Sequence, residues 1–187
     1  MSSRFDILDT PLEGLKLLQR KPIGDARGHL ERLYGSDELQ ALIPGKGIKQ
    51  INHTLTTRRG TVRGMHFQRP PHAETRFVSC LRGEVLDVAV DLRRGSSTFL
   101  RWHAEVLSAD NHKTLVIPEG FAHGFQTLDE DCEMLYFHTA TYQPRAEGGV
   151  NAQDPRLAIL WPEAITELSP RDAALPPVTD NFSEVVV

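Results

Sequence analysis

The sequence predicts an antiparallel all-β sandwich, a single domain over residues 1–187 with only a few short helices. Three observations carry that expectation. Apolar and polar residues alternate with a period of two through the middle of the chain, the pattern of half-buried strands. The alternating segments are short and are separated by Gly, Pro, Asp and Asn. The 12 prolines and 14 glycines suit such turns and would break a helical bundle.

The elements follow in order. Residues 36–43 form the clearest helix candidate, with Ser36 as its N-cap and Pro44-Gly45 as its stop. Residues 75–81 alternate and run into the turn signal Arg82-Gly83. Residues 84–91 interleave aliphatic side chains with acids, and a loop over 93–97 leads to a further strand over 99–107. Strands over 114–117, 121–128 and 132–139 complete the series. Residues 163–175 are interrupted by Pro170 and bounded by Pro162 and Pro176, so they allow only short turns. The last stretch, 176–187, reads as an extended tail. No repeat or linker divides the chain.

Composition excludes several classes of function. The formal net charge is −4, which leaves no basic footprint for nucleic acid. The N-terminal segment lacks the apolar run of a signal peptide, and no stretch is long enough to span a membrane. The two cysteines, Cys80 and Cys132, form no CxxC pair. A cytoplasmic protein with reduced thiols is expected.

Three islands break the strand pattern. In Arg63-Gly64-Met65-His66-Phe67-Gln68-Arg69-Pro70-Pro71-His72 a histidine sits three residues after an arginine. It reads either as a general base beside an anion-binding guanidinium or as a strand-end histidine with an ordinary hydrogen bond. In Ile117-Pro118-Glu119-Gly120-Phe121-Ala122-His123-Gly124-Phe125, alternation places His123 with Phe121 and Phe125, opposite Ala122 and Gly124. The small residues leave room for a ligand or for a close backbone. Ser169-Pro170-Arg171-Asp172 reads first as a helix cap.

A metal site has a partial case. Pro118-x-Gly120-x-x-His123 is similar to the second half of the metal-cupin signature. The first half needs two histidines one residue apart and then a glutamate, where this chain has His66-Phe67-Gln68. One histidine from each half falls short of the three or four ligands of a stable site, so no metal is expected.

Together the islands resemble the dTDP-4-dehydrorhamnose 3,5-epimerase family of the cupin superfamily. The resemblance runs nearly end to end, through Gly24-Asp25-Ala26-Arg27-Gly28, Gln50-Ile51-Asn52-His53, the His66 and His123 islands, Gly83 to Asp91, Asp154-Pro155 and Trp161-Pro162. It implies a cupin-like jelly roll that epimerises C3, C5 or both of a nucleotide-linked 4-keto-6-deoxyhexose. It also assigns roles. His66, paired with Asp172, takes the proton next to the ketone; Tyr136 returns one on the opposite ring face. No cofactor is implied, because the substrate's own ketone delocalises the carbanion as an enolate.

The resemblance extends to binding. Arg63, Gln50, Asn52 and His123 match positions that hold the nucleotide diphosphate or line the sugar pocket. Arg27 matches an arginine supplied by the partner in an intimate homodimer, in which residues 20–34 are exchanged and the N-terminal strands over about 1–55 take part. Tyr142 is a candidate for stacking on a ring. Two positions depart from the family pattern: Thr75-Arg76 stands where glycine and lysine are usual, and His29 replaces an aromatic residue. Arg76 keeps the charge that stabilises an enolate oxygen but delivers it through a longer planar fork. Two other readings therefore stand beside the epimerase: a sugar-nucleotide-binding cupin with little turnover, and a metal-dependent cupin.

Overall fold

The computed structural model describes residues 3–179 together with Phe182 and Val185. Two six-membered arrays of strands pack face to face. The first sheet contains β1 (Phe5–Asp9), β2 (Lys16–Arg20), β5 (Gln50–Thr56), β7 (Arg76–Arg82), β10 (Lys113–Ile117) and β12 (Cys132–His138), in the order β1-β2-β10-β7-β12-β5. The second contains β6 (Thr61–Gln68), β8 (Glu84–Asp91), β9 (Trp102–Ser108), β11 (Phe121–Thr127) and β13 (Glu147–Gly149), in the order β13-β6-β11-β8-β9. The two-residue β14 (Glu167–Leu168) adds to β6 in parallel, and all the other pairings are antiparallel. A separate hairpin, β3 (Ile23–Asp25) with β4 (Gly28–Leu30), stands outside both sheets, and all its residues are exposed.

Period-two alternation sorts the side chains into three layers. Between the sheets lie Val78, Cys80, Leu115 and Met134 from the first and Val85, Ala89, Phe121 and Phe125 from the second. The outer face of the first sheet is covered by α1 (Ser36–Leu39) and its surroundings, which bury Phe77, Val116 and Phe137. The outer face of the second is covered by the C-terminal third of the chain, with Leu157, Val178 and Val185 against Val62, Val88 and Val90. Each such buried side chain contributes roughly 1.5–3 kcal/mol relative to exposure. Both cysteines are free and buried, and burial pushes the Cys80 thiol up to about 12.

The strand over 84–91 falls where the alternation predicts it, and its neighbours shift by one to three residues. The largest shift is at β9, which starts at Trp102 because residues 98–101 turn around Asp91. That carboxylate accepts from Arg93, Ser96 and Thr98, and Leu100 takes a positive φ of 62° to complete the turn. The first helix is a correction. Ser36 is its first residue rather than its cap; Gly35 occupies the cap position with no side-chain bond, and a 3-10 turn over Gln40–Leu42 follows. The C-terminal stretch is extended over its described part but anchored, since Val185 pairs with Arg93.

Candidate active site

The inward-facing rows that build the core continue, toward one end of the sandwich, as polar residues. On β7 the row Cys80, Val78 ends in Arg76, and on β12 the row Met134, Tyr136 ends in His138. Facing them from the second sheet are Arg63 and His66 on β6 and His123 on β11. They line a cavity of about 610 Å3, within the size range of small-molecule sites. Gln50, Asn52, Tyr142 and Asp172 line it too. Of the ten residues singled out from sequence, nine meet here.

The tenth, Arg27, does not. It sits on the exposed hairpin, bonded to Asp25 at 2.5 Å and 89% exposed, and it does not line its own chain's cavity.

A close approach of two backbones sets the geometry. A Cβ at Gly64 would lie 2.5 Å from Gly124 Cα, and one at Gly124 would lie 2.6 Å from the Arg63 carbonyl oxygen. Both positions therefore require glycine. The β6–β11 register shifts between His123 and Phe125, and His66 becomes the cross-strand partner of His123.

His66 Nε2 lies 2.8 Å from Asp172 Oδ1. A carboxylate only accepts, so Nε2 carries the hydrogen and Nδ1 of the neutral ring is left able to take a proton. Asp172 stands in α2 (Pro170–Ala173), where Ser169 Oγ caps the helix by accepting from the Asp172 N–H at 3.1 Å. The cap expected from sequence is present, and it also aims the carboxylate. Asp172 Oδ2 accepts from the Gly64 N–H at 3.1 Å, which fixes its second oxygen. Burial works to raise the Asp172 pKa, but the bonds from His66 and Gly64 outweigh it and hold the carboxyl below its ordinary range.

Tyr136 projects from the opposite sheet, buried between two imidazoles. The His138 ring is nearly parallel to it at 6.0 Å between centroids, and the His123 ring meets it edge-on at 6.1 Å. Burial pushes the Tyr136 phenol well above its ordinary value, so the ring holds its proton at neutral pH. His123 is held by Asp87, with Nε2 at 2.9 and 3.0 Å from the two carboxylate oxygens. Burial raises the Asp87 pKa against the opposing pull of His123.

Arg76 enters the cavity, but its guanidinium is occupied. Its Nε donates to Glu74 Oε1 at 2.9 Å, and its Nη1 donates to the His66 carbonyl at 3.0 Å. Its Nη2 lies 2.7 Å from the same Glu74 oxygen. Glu74 was given no role from sequence. Nor were His138, Asp87, Glu147 and Arg171, although alternation places Glu74 on the Arg76 face and His138 on the Tyr136 face. Arg171 is half-exposed at the rim, bonded to Glu147 at 3.1 Å and with Nη2 3.2 Å from His66 Nε2. Tyr142 is exposed and donates its hydroxyl to Glu147, while Gln50 bonds the Tyr142 N–H and the Asn52 amide.

Among the described residues, His29, Glu31 and His112 lie close enough to share an ion, and none of them lines this cavity. Both cavity histidines of the two islands already hold a carboxylate on Nε2.

A jelly-roll sandwich with an imidazole–carboxylate pair on one wall and a protonated tyrosine on the other has the architecture of a cupin-type isomerase. More narrowly, the chain belongs to the dTDP-4-dehydrorhamnose 3,5-epimerase family, whose sequence model matches residues 9–180. The dTDP-4-dehydrorhamnose 3,5-epimerase of Salmonella typhimurium is 42% identical over 172 residues, covering 91% of this chain and 93% of that protein. A dTDP-6-deoxy-D-glucose-3,5-epimerase from Legionella pneumophila, solved with dTDP-4-keto-L-rhamnose, superposes with a TM-score of 0.87 at 37% identity, covering 92% of each chain. A 3′-monoepimerase from Streptomyces bikiniensis, solved with dTDP-quinovose, gives 0.82 at 30% identity, covering 91% of this chain and 86% of that one.

Proposed function

We propose that this protein epimerises a dTDP-linked 4-keto-6-deoxyhexose at C3, C5 or both, with His66 as base and Tyr136 as acid. The observation that carries the assignment is that these two groups come from facing sheets. Inversion at carbon needs a proton removed on one face of the ring and returned on the other. His66 Nδ1 takes the proton beside the ketone, and Asp172 stabilises the imidazolium that forms. The electron pair moves onto the ketone oxygen as an enolate, stabilised by the Arg76 charge. Tyr136 then protonates the same carbon from the other side. The chemistry asks for no electron acceptor beyond the substrate's own ketone.

Arg63 and Arg171 bring positive charge to the cavity and suit a diphosphate, and the exposed Tyr142 ring suits stacking on a base. Gln50, Asn52 and His123 complete the pocket. Arg27 joins from a second copy. The hairpin exposes Ile23 and Leu30, edge strand β5 exposes Ile51 and Leu55, and a two-fold homodimer would cover such surfaces. No helix of the described residues is long and apolar enough to cross a membrane.

Incubation with dTDP-4-keto-6-deoxyglucose in deuterated water tests the chemistry. Deuterium enters at C3, at C5 or at both, and its complete absence over many turnovers' time would leave only binding. Mixing Arg27→Ala with His66→Ala protein tests the dimer. One site of each mixed dimer is intact, so activity returns on mixing only if Arg27 acts across the interface.

A further inference from the structure

The cavity contains a third imidazole–carboxylate pair that the proton-transfer scheme does not use. His138 Nδ1 lies 2.9 Å from Glu74 Oε2, while the other Glu74 oxygen takes the Arg76 guanidinium. The three side chains are 12%, 6% and 11% exposed, so the cluster belongs to the cavity wall and not to the solvent surface. Burial works against the Glu74 charge, but His138 and Arg76 outweigh it and keep the carboxyl below its ordinary range. An ionised carboxylate can only accept, so the hydrogen of the neutral ring resides on Nδ1. Nε2 is then an acceptor. Its neighbour is the exposed Asn52 amide, whose Nδ2 lies 3.4 Å away, a long contact that a better donor can replace. The ring also stacks on Tyr136, which places Nε2 on the acid's side of the cavity.

We propose that His138 is a further substrate-binding residue, its Nε2 accepting a hydrogen bond from a hydroxyl of the hexose. Glu74 is its positioning residue. One carboxylate thus sets two neighbours: it fixes the His138 tautomer and holds the Arg76 fork against the His66 carbonyl. The inference rests on the nucleotide-sugar reading above and names the group that reads the sugar rather than the nucleotide.

Affinities for dTDP and for dTDP-quinovose, which carries no ketone, separate the two readings. In the intact protein dTDP-quinovose should bind more tightly than dTDP, and equal affinities would overturn the proposal. His138→Phe keeps a ring against Tyr136 but removes the acceptor. It should lower the preference for the sugar nucleotide by about threefold to tenfold and leave dTDP affinity unchanged. Glu74→Gln offers an amide that donates to Nδ1, which moves the ring hydrogen to Nε2. The hydroxyl must then turn to accept instead of donate, so the same preference should fall with His138 still present. Nitrogen-15 spectra of the imidazoles report this directly: Nδ1–H in the wild type, Nε2–H in Glu74→Gln, and a shift of the wild-type Nε2 resonance with dTDP-quinovose but not with dTDP. An unchanged preference in His138→Phe, or an Nε2–H tautomer in the wild type, overturns the role of His138 alone. Failure of the wild type to bind dTDP at all removes the nucleotide-sugar reading and this one with it.

Discussion

Two histidine–carboxylate pairs stand side by side on adjacent strands, and their burial separates them. His66 and Asp172 are 22% and 5% exposed, whereas His123 and Asp87 are 6% and 0%. In the first, the carboxylate comes from a one-turn helix at the chain's end and is aimed by a cap and by the Gly64 N–H. In the second, both partners sit in paired strands of one sheet, and burial opposes the charge on Asp87. The same two residue types thus give a partly exposed imidazole in one place and a buried part of the wall in the other. Both imidazoles line the cavity, so it is the degree of burial and not the pairing that separates them.

Replacing His66, the proposed base, breaks the comparison most sharply. His66→Ala should slow solvent proton exchange by about 10³–10⁴-fold, with dTDP affinity nearly unchanged, when deuterium incorporation and nucleotide titration are measured together. Unaltered exchange would pass the base role elsewhere. In the buried pair the expected loss is of stability: Asp87→Asn should cost about 2 kcal/mol in urea unfolding, because an amide oxygen replaces the carboxylate that accepts from His123 and its NH2 group is buried without a partner. Tyr136→Phe should reduce inversion by about 100-fold while deuterium still enters with retention, since removal on the His66 face survives. A parallel loss of both would place the phenol in the first step.

Asp172→Asn should give a loss of about 10–100-fold in exchange and little change in unfolding midpoint, the reverse of Asp87→Asn. If the two asparagine variants behave alike, burial does not distinguish the pairs. The smallest effect concerns acid stability far from the cavity. Burial works to raise the Asp91 pKa, but the bonds from Arg93, Ser96 and Thr98 outweigh it and pull it down to about 2. A lowered folded-state pKa means that the unfolded chain binds the proton more readily. The stability it contributes is therefore complete above about pH 4 and is lost as pH falls toward the folded-state value. Asp91→Asn should flatten that part of the pH–stability curve.

The strands were legible because alternation is a local signal: residues 84–91 read as one strand from their own side chains. Glycine and proline marked most turns for the same reason, and the loop over 93–97 was among them; its continuation through 98–101 escaped, since it depends on bonds gathered from residues up to seven apart. His66, His123 and Tyr136 were legible as a set only through their motifs. Nothing in the spacing of 66 and 172 says that they touch, and the Ser169 motif by itself means only a cap.

What the sequence determined alone was the alternating sandwich, most of its turns, and small residues beside His123 that leave room for a ligand or for a close backbone. The His66–Asp172 pairing was implied by the family resemblance and not by the residues themselves; only the tertiary structure decided that Asp87 holds His123 and that Glu74 divides its charge between Arg76 and His138. The physical reason is reach. Alternation and turn chemistry act over a few neighbouring residues, whereas a carboxylate's pKa and partner depend on which strands fold against it and how much water they leave.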